Sequence, residues 1–103
     1  MVFYRYGSFL YGEEAVRVVN DHDLTQNSSR LFMYVALQVM HAPQEVPSQY
    51  SDLYPSPTYF TDYSIMNGMA SAADEVLGNL TAALKRRSMW ADTLLVYTSD
   101  NGR

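Results

Sequence analysis

Asp100 and Asn101 stand side by side after the apolar run Leu94-Leu95-Val96-Tyr97-Thr98-Ser99 and directly before Gly102. A carboxylate and an amide present oxygen ligands of the hard kind that calcium or magnesium prefers. Asn-Gly favours a turn, because both residues tolerate positive φ. In a continued strand the two side chains would point to opposite faces. A turn instead lets both oxygens face one point beyond the strand end, where open α/β sheets place their ligands. Asp-Asn-Gly serves equally well as plain turn chemistry.

His41 is the second residue of interest. It follows the apolar run Leu31-Phe32-Met33-Tyr34-Val35-Ala36-Leu37-Gln38 and precedes Ala42-Pro43. Proline biases Ala42 away from helix, so His41 falls where a strand has given way to loop. There it either bonds nearby backbone or faces a ligand at the strand's C-terminal edge. His22, between Asp21 and Asp23, reads as a loop histidine, since nothing near it supplies a ligand geometry. Tyr50, Tyr54, Tyr59 and Tyr63 fall in or beside a proline-rich stretch. They either stack on a sugar or aromatic substrate or anchor the loop to its own domain.

The elements that must position these groups are legible in the periodicity. Unbroken apolar runs over 31–38 and 94–98 predict strands buried on both faces, as in a parallel sheet covered by helices. Residues 13–20 predict a short amphipathic helix, with Gly12 as its N-cap and Asn20-Asp21-His22-Asp23 as its end. The polar stretch 25–30 is a surface loop, and Pro47, Pro55 and Pro57 keep 43–62 irregular. Thr61 or Asp62 then caps a helix to about Arg87, with Met66, Met69, Ala70, Ala73, Val76, Leu77, Leu80 and Leu84 on one stripe. Asp74 lies beside that stripe, either as a buried acceptor or solvated at its edge. Lys85, Arg86 and Arg87 gather at the helix end, where the macrodipole favours cations, and read as a solvated basic cluster. The order strand, loop, helix, strand is a βαβ unit. A right-handed parallel crossover would bring His41 and Asp100-Asn101 to one sheet edge.

Composition narrows the classes. With 103 residues, the chain forms one domain at most. A net charge of −4 offers no basic stripe for nucleic acid. No apolar run approaches the roughly 20 residues of a membrane span. The absence of cysteine removes disulfides and thiolate sites from these residues. No leader pattern opens the chain. Two acceptor sequons, Asn27-Ser28-Ser29 and Asn79-Leu80-Thr81, point toward a secretory route as candidate N-glycosylation sites. Together with a stop directly after the most suggestive motif, this is the pattern expected of a piece of a longer protein.

With these residues in place, the chain resembles the sulfatase family, most closely the arylsulfatase B group. The likeness lies in the 31–38 run leading into His41-Ala42-Pro43, in Asp74-Glu75-Val76-Leu77-Gly78-Asn79-Leu80-Thr81-Ala82-Ala83-Leu84, and in Thr98-Ser99-Asp100-Asn101-Gly102. The resemblance implies an alkaline-phosphatase-like α/β fold that hydrolyses sulfate esters, either aryl sulfates or sulfated glycans, in a lysosomal or extracellular setting. It implies a formylglycine nucleophile made from a Cys/Ser-x-Pro-x-Arg cassette, and a divalent cation, usually calcium, that polarises the sulfate.

By the same resemblance, Asp100 and Asn101 are metal ligands. His41 is the histidine near the sulfate, a side chain of reference pKa about 6.5 suited to proton transfer. Ala42 stands where the family commonly has Glu, and Arg103 where it has a second glycine. The nucleophile cassette, the N-terminal aspartate pair and the downstream lysine are not among these residues. The expectation is therefore a fragment of the catalytic domain, inactive alone. The alternatives are a non-catalytic relative that binds sulfated glycans and a phosphodiesterase of the same superfold.

Overall fold

A 26-residue helix, α3 (Thr61–Arg86), is the spine of the molecule. The computed structural model describes residues 5–25, 29–55 and 61–101. Within them α1 (Gly7–Asp21) and a single turn, α2 (Ser48–Ser51), pack against α3, and a 3-10 turn at Trp90–Asp92 follows it.

Helix α1 is longer than its sequence signal. It begins at Gly7 with Tyr6 at the N-cap position and no side-chain cap. Nothing before Glu13 therefore marks the start by residue type. Gly12, expected to cap the helix, instead lies inside it. The buried face of α1 is Ser8, Gly12, Ala15 and Val19, mostly small residues at helical spacing. Such a face lets two helix axes approach closely. A Cβ on Gly12 would come within 2.9 Å of both Val76 methyl carbons, so glycine is needed for contact and not for turning. Glu13 and Glu14 consequently sit in mid-helix. Glu13 pairs with Arg5, while Arg17 binds Glu14 at 2.5 Å and Asp21 at 2.7 Å. The Arg17 hydrogen bond holds the Glu14 carboxyl below its ordinary pKa, and the two carboxylates raise the Arg17 guanidinium.

The stripe on α3 holds in outline. Met69, Ala73, Val76 and Leu84 are buried, and Met66, Leu77 and Leu80 are half-buried. Ala70 is exposed, and Ala72 and Ala83 take inward positions. Asp74 is exposed, so it is solvated at the stripe's edge. Thr61 is already helical, which moves the cap position outside the described residues.

The far end of α3 closes with a left-handed residue. Ser88 has φ 57°, its N–H donates to the Lys85 carbonyl at 3.0 Å, and the Met89 N–H reaches back to the Leu84 carbonyl at 2.9 Å. This is the Schellman arrangement, in which glycine is the usual left-handed residue. Serine there carries the Cβ penalty of that conformation. Ser88→Gly is expected to stabilise the fold by about 0.5–1 kcal/mol, after allowing for glycine's greater freedom in the unfolded chain. A fall in thermal midpoint would show that the serine side chain contributes more than its backbone costs.

Lys85 and Arg86 are solvent-exposed, and the Lys85 ammonium lies 5.3 Å from the centre of the Trp90 ring. Arg87 departs from the expectation of a solvated basic end. It is half-buried and donates to the His22 carbonyl at 2.6 Å, tying the end of α1 to the end of α3.

The expected βαβ unit is not formed among the described residues. No residue in 31–38 or 94–98 belongs to a strand or bridge among the described residues, and the architecture they form is helical. Both runs lie outside regular structure, and neither is buried on two faces. Leu31, Met33, Val35 and Leu37 are half-buried in alternation with exposed Phe32, Tyr34, Ala36 and Gln38. Leu31 and Met33 lean on the core cluster of Val19, Ala83 and Leu84. Phe32 and Tyr34 are 91% and 82% exposed, and Leu94 and Val96 are 89% and 75% exposed. The physical reason is that a parallel strand exists only through its neighbours, and neither run pairs with the other. Among the described residues, no helix is long and apolar enough to cross a membrane.

Candidate functional site

The first apolar run reaches His41 by way of a strained residue. Met40 has φ 68°, a left-handed conformation that costs a non-glycine residue of order 1 kcal/mol or more. It lies in the turn at 39–40 that directly precedes His41, and His41 is exposed. His41 Nδ1 lies 2.6 Å from the Ala42 carbonyl oxygen. A carbonyl oxygen only accepts, so Nδ1 carries the proton and donates it. The nitrogen left for any other partner is Nε2. Sequence reasoning left open whether His41 bonds backbone or faces a ligand. In this geometry one ring nitrogen does the first and the other is left for the second.

The second run ends in a local hydrogen-bonded bend. The Ser99 hydroxyl donates to the Asn101 carbonyl at 2.5 Å, and the Thr98 hydroxyl donates to the Ser99 carbonyl at 3.1 Å. Asp100 and Asn101 both lie in bends and both are exposed. Gly102, half of the expected Asn-Gly turn, lies outside the described residues, as do Arg103, the Asn27 sequon position and Tyr59.

Among the described residues, no group of three or more His, Asp or Glu side chains is placed to hold an ion together. The donor chemistry of Asp100 and Asn101 fits a hard cation. Their number does not, since calcium takes about 6–8 oxygen ligands and these two residues cannot supply that many.

The loop between the two apolar runs is seated by contacts that spacing could not show. Tyr50 is buried, and its hydroxyl donates to Glu75 Oε2 of α3 at 2.5 Å. Burial, followed by the Glu75 hydrogen bond, pushes the Tyr50 phenol above its ordinary pKa. The Tyr54 hydroxyl lies 2.6 Å from the Ser71 hydroxyl, and Ser64 donates to the Tyr54 carbonyl at 2.5 Å. Phe9 bridges Tyr6 and Tyr50, with ring centres 5.2 and 5.7 Å away. Tyr50 and Tyr54 are thus anchors of the loop, and Tyr63 is exposed. The decisive residue is Gly68. A Cβ there would meet the Ser51 nitrogen at 2.9 Å and the Tyr50 carbonyl carbon at 3.0 Å. A glycine inside a long helical stripe, opposite a proline-bounded loop, was the only signal of it in the sequence.

Two open hollows flank these contacts. One is lined by Ser51, Asp52, Tyr54, Pro55, Ser64 and Ile65, the other by residues of all three helices, and neither has His41, Asp100 or Asn101 in its wall. His41, Asp100 and Asn101 therefore stand exposed and outside both hollows.

Comparison with known proteins agrees with the motifs. The sequence family described as Sulfatase matches residues 10–103, a span that takes in His41, Asp100 and Asn101. Mouse (Mus musculus) Arylsulfatase J is 33% identical over 94% of this chain. The chain spans 16% of the length of that relative. No solved structure matches at a significant level. A family match over nearly the whole chain, joined to a curated relative at that identity, places the chain in the sulfatase family.

Proposed function

We propose that this chain is part of a sulfuric ester hydrolase of the arylsulfatase type, to which it contributes the sulfate-facing imidazole and two oxygen ligands for a divalent cation. The observation that carries this reading is the family match across 10–103, a span in which His41, Asp100 and Asn101 each follow an apolar run. In the complete domain the runs 31–38 and 94–98 become strands of an alkaline-phosphatase-like parallel sheet. Their bare outer residues and lack of bridges suit insertion beside further strands.

Within that site His41 acts through Nε2. The Ala42 carbonyl fixes the tautomer and the ring plane, so that Nε2, when protonated, can donate to a sulfate oxygen or give its proton to the departing ester oxygen. Asp100 and Asn101 hold the cation, expected to be calcium, together with ligands from elsewhere in the protein. When bound, such a cation polarises the sulfate oxygens. The nucleophile, expected to be formylglycine, likewise comes from another part of the protein. The substrate is an aryl sulfate or a sulfated glycan, and the setting is the secretory pathway, lysosomal or extracellular.

Assays of aryl sulfate hydrolysis test the reading. The complete protein is expected to turn over the ester and to lose activity with a chelator. These 103 residues alone are expected to be inactive and to bind calcium weakly. Turnover by the isolated chain would show that the missing ligands and nucleophile are not needed, and would overturn the proposal.

A further inference from the structure

We propose that Tyr50 and Glu75 are positioning residues for His41: their hydrogen bond pins the loop that follows the histidine onto α3, the helix from which the chain runs on to Asp100 and Asn101. The proposal deepens the sulfatase reading above and rests on it.

His41 does not fix its own place. Its ring bonds the carbonyl of the next residue, so that bond orients the ring on the local backbone and travels with it. The backbone itself is located by what holds the two ends of the span 39–45. At one end Gln38 Oε1 lies 3.7 Å from a Cβ built on Gly7, at the start of α1. At the other, Val46 Cγ1 lies 3.0 Å from a Cβ built on Gly68, on α3. Between these holds His41, Ala42, Pro43 and Glu45 are exposed.

The hold on α3 has two parts. Contact at Gly68 sets how closely α2 approaches α3, but contact alone leaves α2 free to slide. The Tyr50 hydroxyl supplies the register. It donates to Glu75 Oε2 at 2.5 Å, about two turns further along α3 than Gly68, and a bond from a buried phenol to a carboxylate is both strong and directional. The Tyr54 to Ser71 contact lies at an exposed position, where water competes for both hydroxyls.

Beyond Glu75 the same helix runs to Arg86, and the backbone passes through the Trp90–Asp92 turn, where the Thr93 hydroxyl donates to the Met89 carbonyl at 2.7 Å, into the run before Asp100. Helix α3 is therefore common to both arms of the proposed site. One arm is joined to it by backbone, the other is pinned to it by a side-chain bond. Loss of the pin lets the imidazole drift relative to the oxygen ligands, and a displacement of about 1 Å can cost up to about 100-fold in rate. Tyr50 and Glu75 themselves line the groove between α1 and α3, and neither His41, Asp100 nor Asn101 is in its wall. Replacing them changes no group assigned to the chemistry.

The test is a double-mutant cycle in the complete protein. Tyr50→Phe keeps the buried ring and removes the hydroxyl. Glu75→Ala removes the acceptor, whereas Glu75→Gln keeps an oxygen at the same reach. For an aryl sulfate, kcat is expected to fall about 10-fold in Tyr50→Phe and Glu75→Ala, with KM moving by less than about twofold, and to recover most of the loss in Glu75→Gln. In a His41→Ala background Tyr50→Phe should lower kcat no further, because the group it positions is gone. Should Glu75→Ala fail to fold, Tyr50→Phe and Glu75→Gln carry the test by themselves. An equal loss in both backgrounds, or no loss in the parent, would overturn the positioning role and leave the sulfatase reading standing. If His41→Ala itself left kcat unchanged, the role of His41 and this proposal would fall together.

Discussion

Replacing His41 by alanine in the complete sulfatase is expected to lower kcat for an aryl sulfate by about 10²–10⁴-fold, the usual effect of removing a positioned proton-transfer group. At about 1.4 kcal/mol for each factor of ten, that is roughly 3–5 kcal/mol of transition-state stabilisation. The loss should fall on kcat more than on KM, because proton donation to the leaving oxygen matters only as the ester bond breaks. His41→Asn sharpens the test. Asparagine is a hydrogen-bonding side chain of similar reach, yet it cannot release a proton in the working pH range. If it restores full activity, His41 only orients the substrate; if His41→Ala leaves kcat unchanged, the role assigned to His41 is wrong. Because His41 is exposed and its ring bonds its neighbour's carbonyl, neither substitution should disturb the helical core.

Gly68→Val should unfold the seat of the 43–55 loop at a cost of about 2–4 kcal/mol, the upper range of overpacking. The argument turns on what the new side chain would strike. Two of the three nearest atoms, the Ser51 nitrogen and the Tyr50 carbonyl carbon, are backbone, and the third is the Val46 Cγ1 at 3.0 Å. Backbone cannot rotate away as a side-chain tip can, so α2 must lift from α3. Lifting it separates the Tyr50 hydroxyl from Glu75, leaving a tyrosine with no partner on α3. Gly68→Ala is milder, since alanine's helix propensity returns up to about 1 kcal/mol against the clash. Urea unfolding measures both. Combining Gly68→Val with Tyr50→Phe should cost less than the sum of the two, since both act on one contact. An alanine variant more stable than the parent would mean that α2 does not rest on Gly68.

The long helix was legible because its burial follows one period. Met69, Ala73, Val76 and Leu84 recur at helical spacing, and the basic cluster marks the end. Alanine blurs that reading, being small enough to sit on either face; Ala70 faces water while Ala72 and Ala83 face inward. The start of α1 was hidden because Tyr6 caps nothing and Gly12 looks like a break. Only the Val76 side chain, more than sixty positions away, gives that glycine its purpose.

The apolar runs were legible as apolar but not as half-covered. Both parities of 31–37 are apolar, so the sequence contains no signal of which side lies on the helices. The ends of those runs, where His41, Asp100 and Asn101 stand, could be located from strand length and turn residues. Their proposed assembly into one site would depend on pairing partners. Nothing in the spacing of this chain supplies those.

The bare faces at Phe32, Tyr34, Leu94 and Val96 also set an order of events during synthesis. Helices α1 and α3 join through side chains that this chain already contains, so a helical kernel can condense early. The two apolar runs must wait, exposing greasy residues and open edges to whatever strand arrives first. The rate at which covering polypeptide reaches these runs then decides between a folded domain and an aggregate.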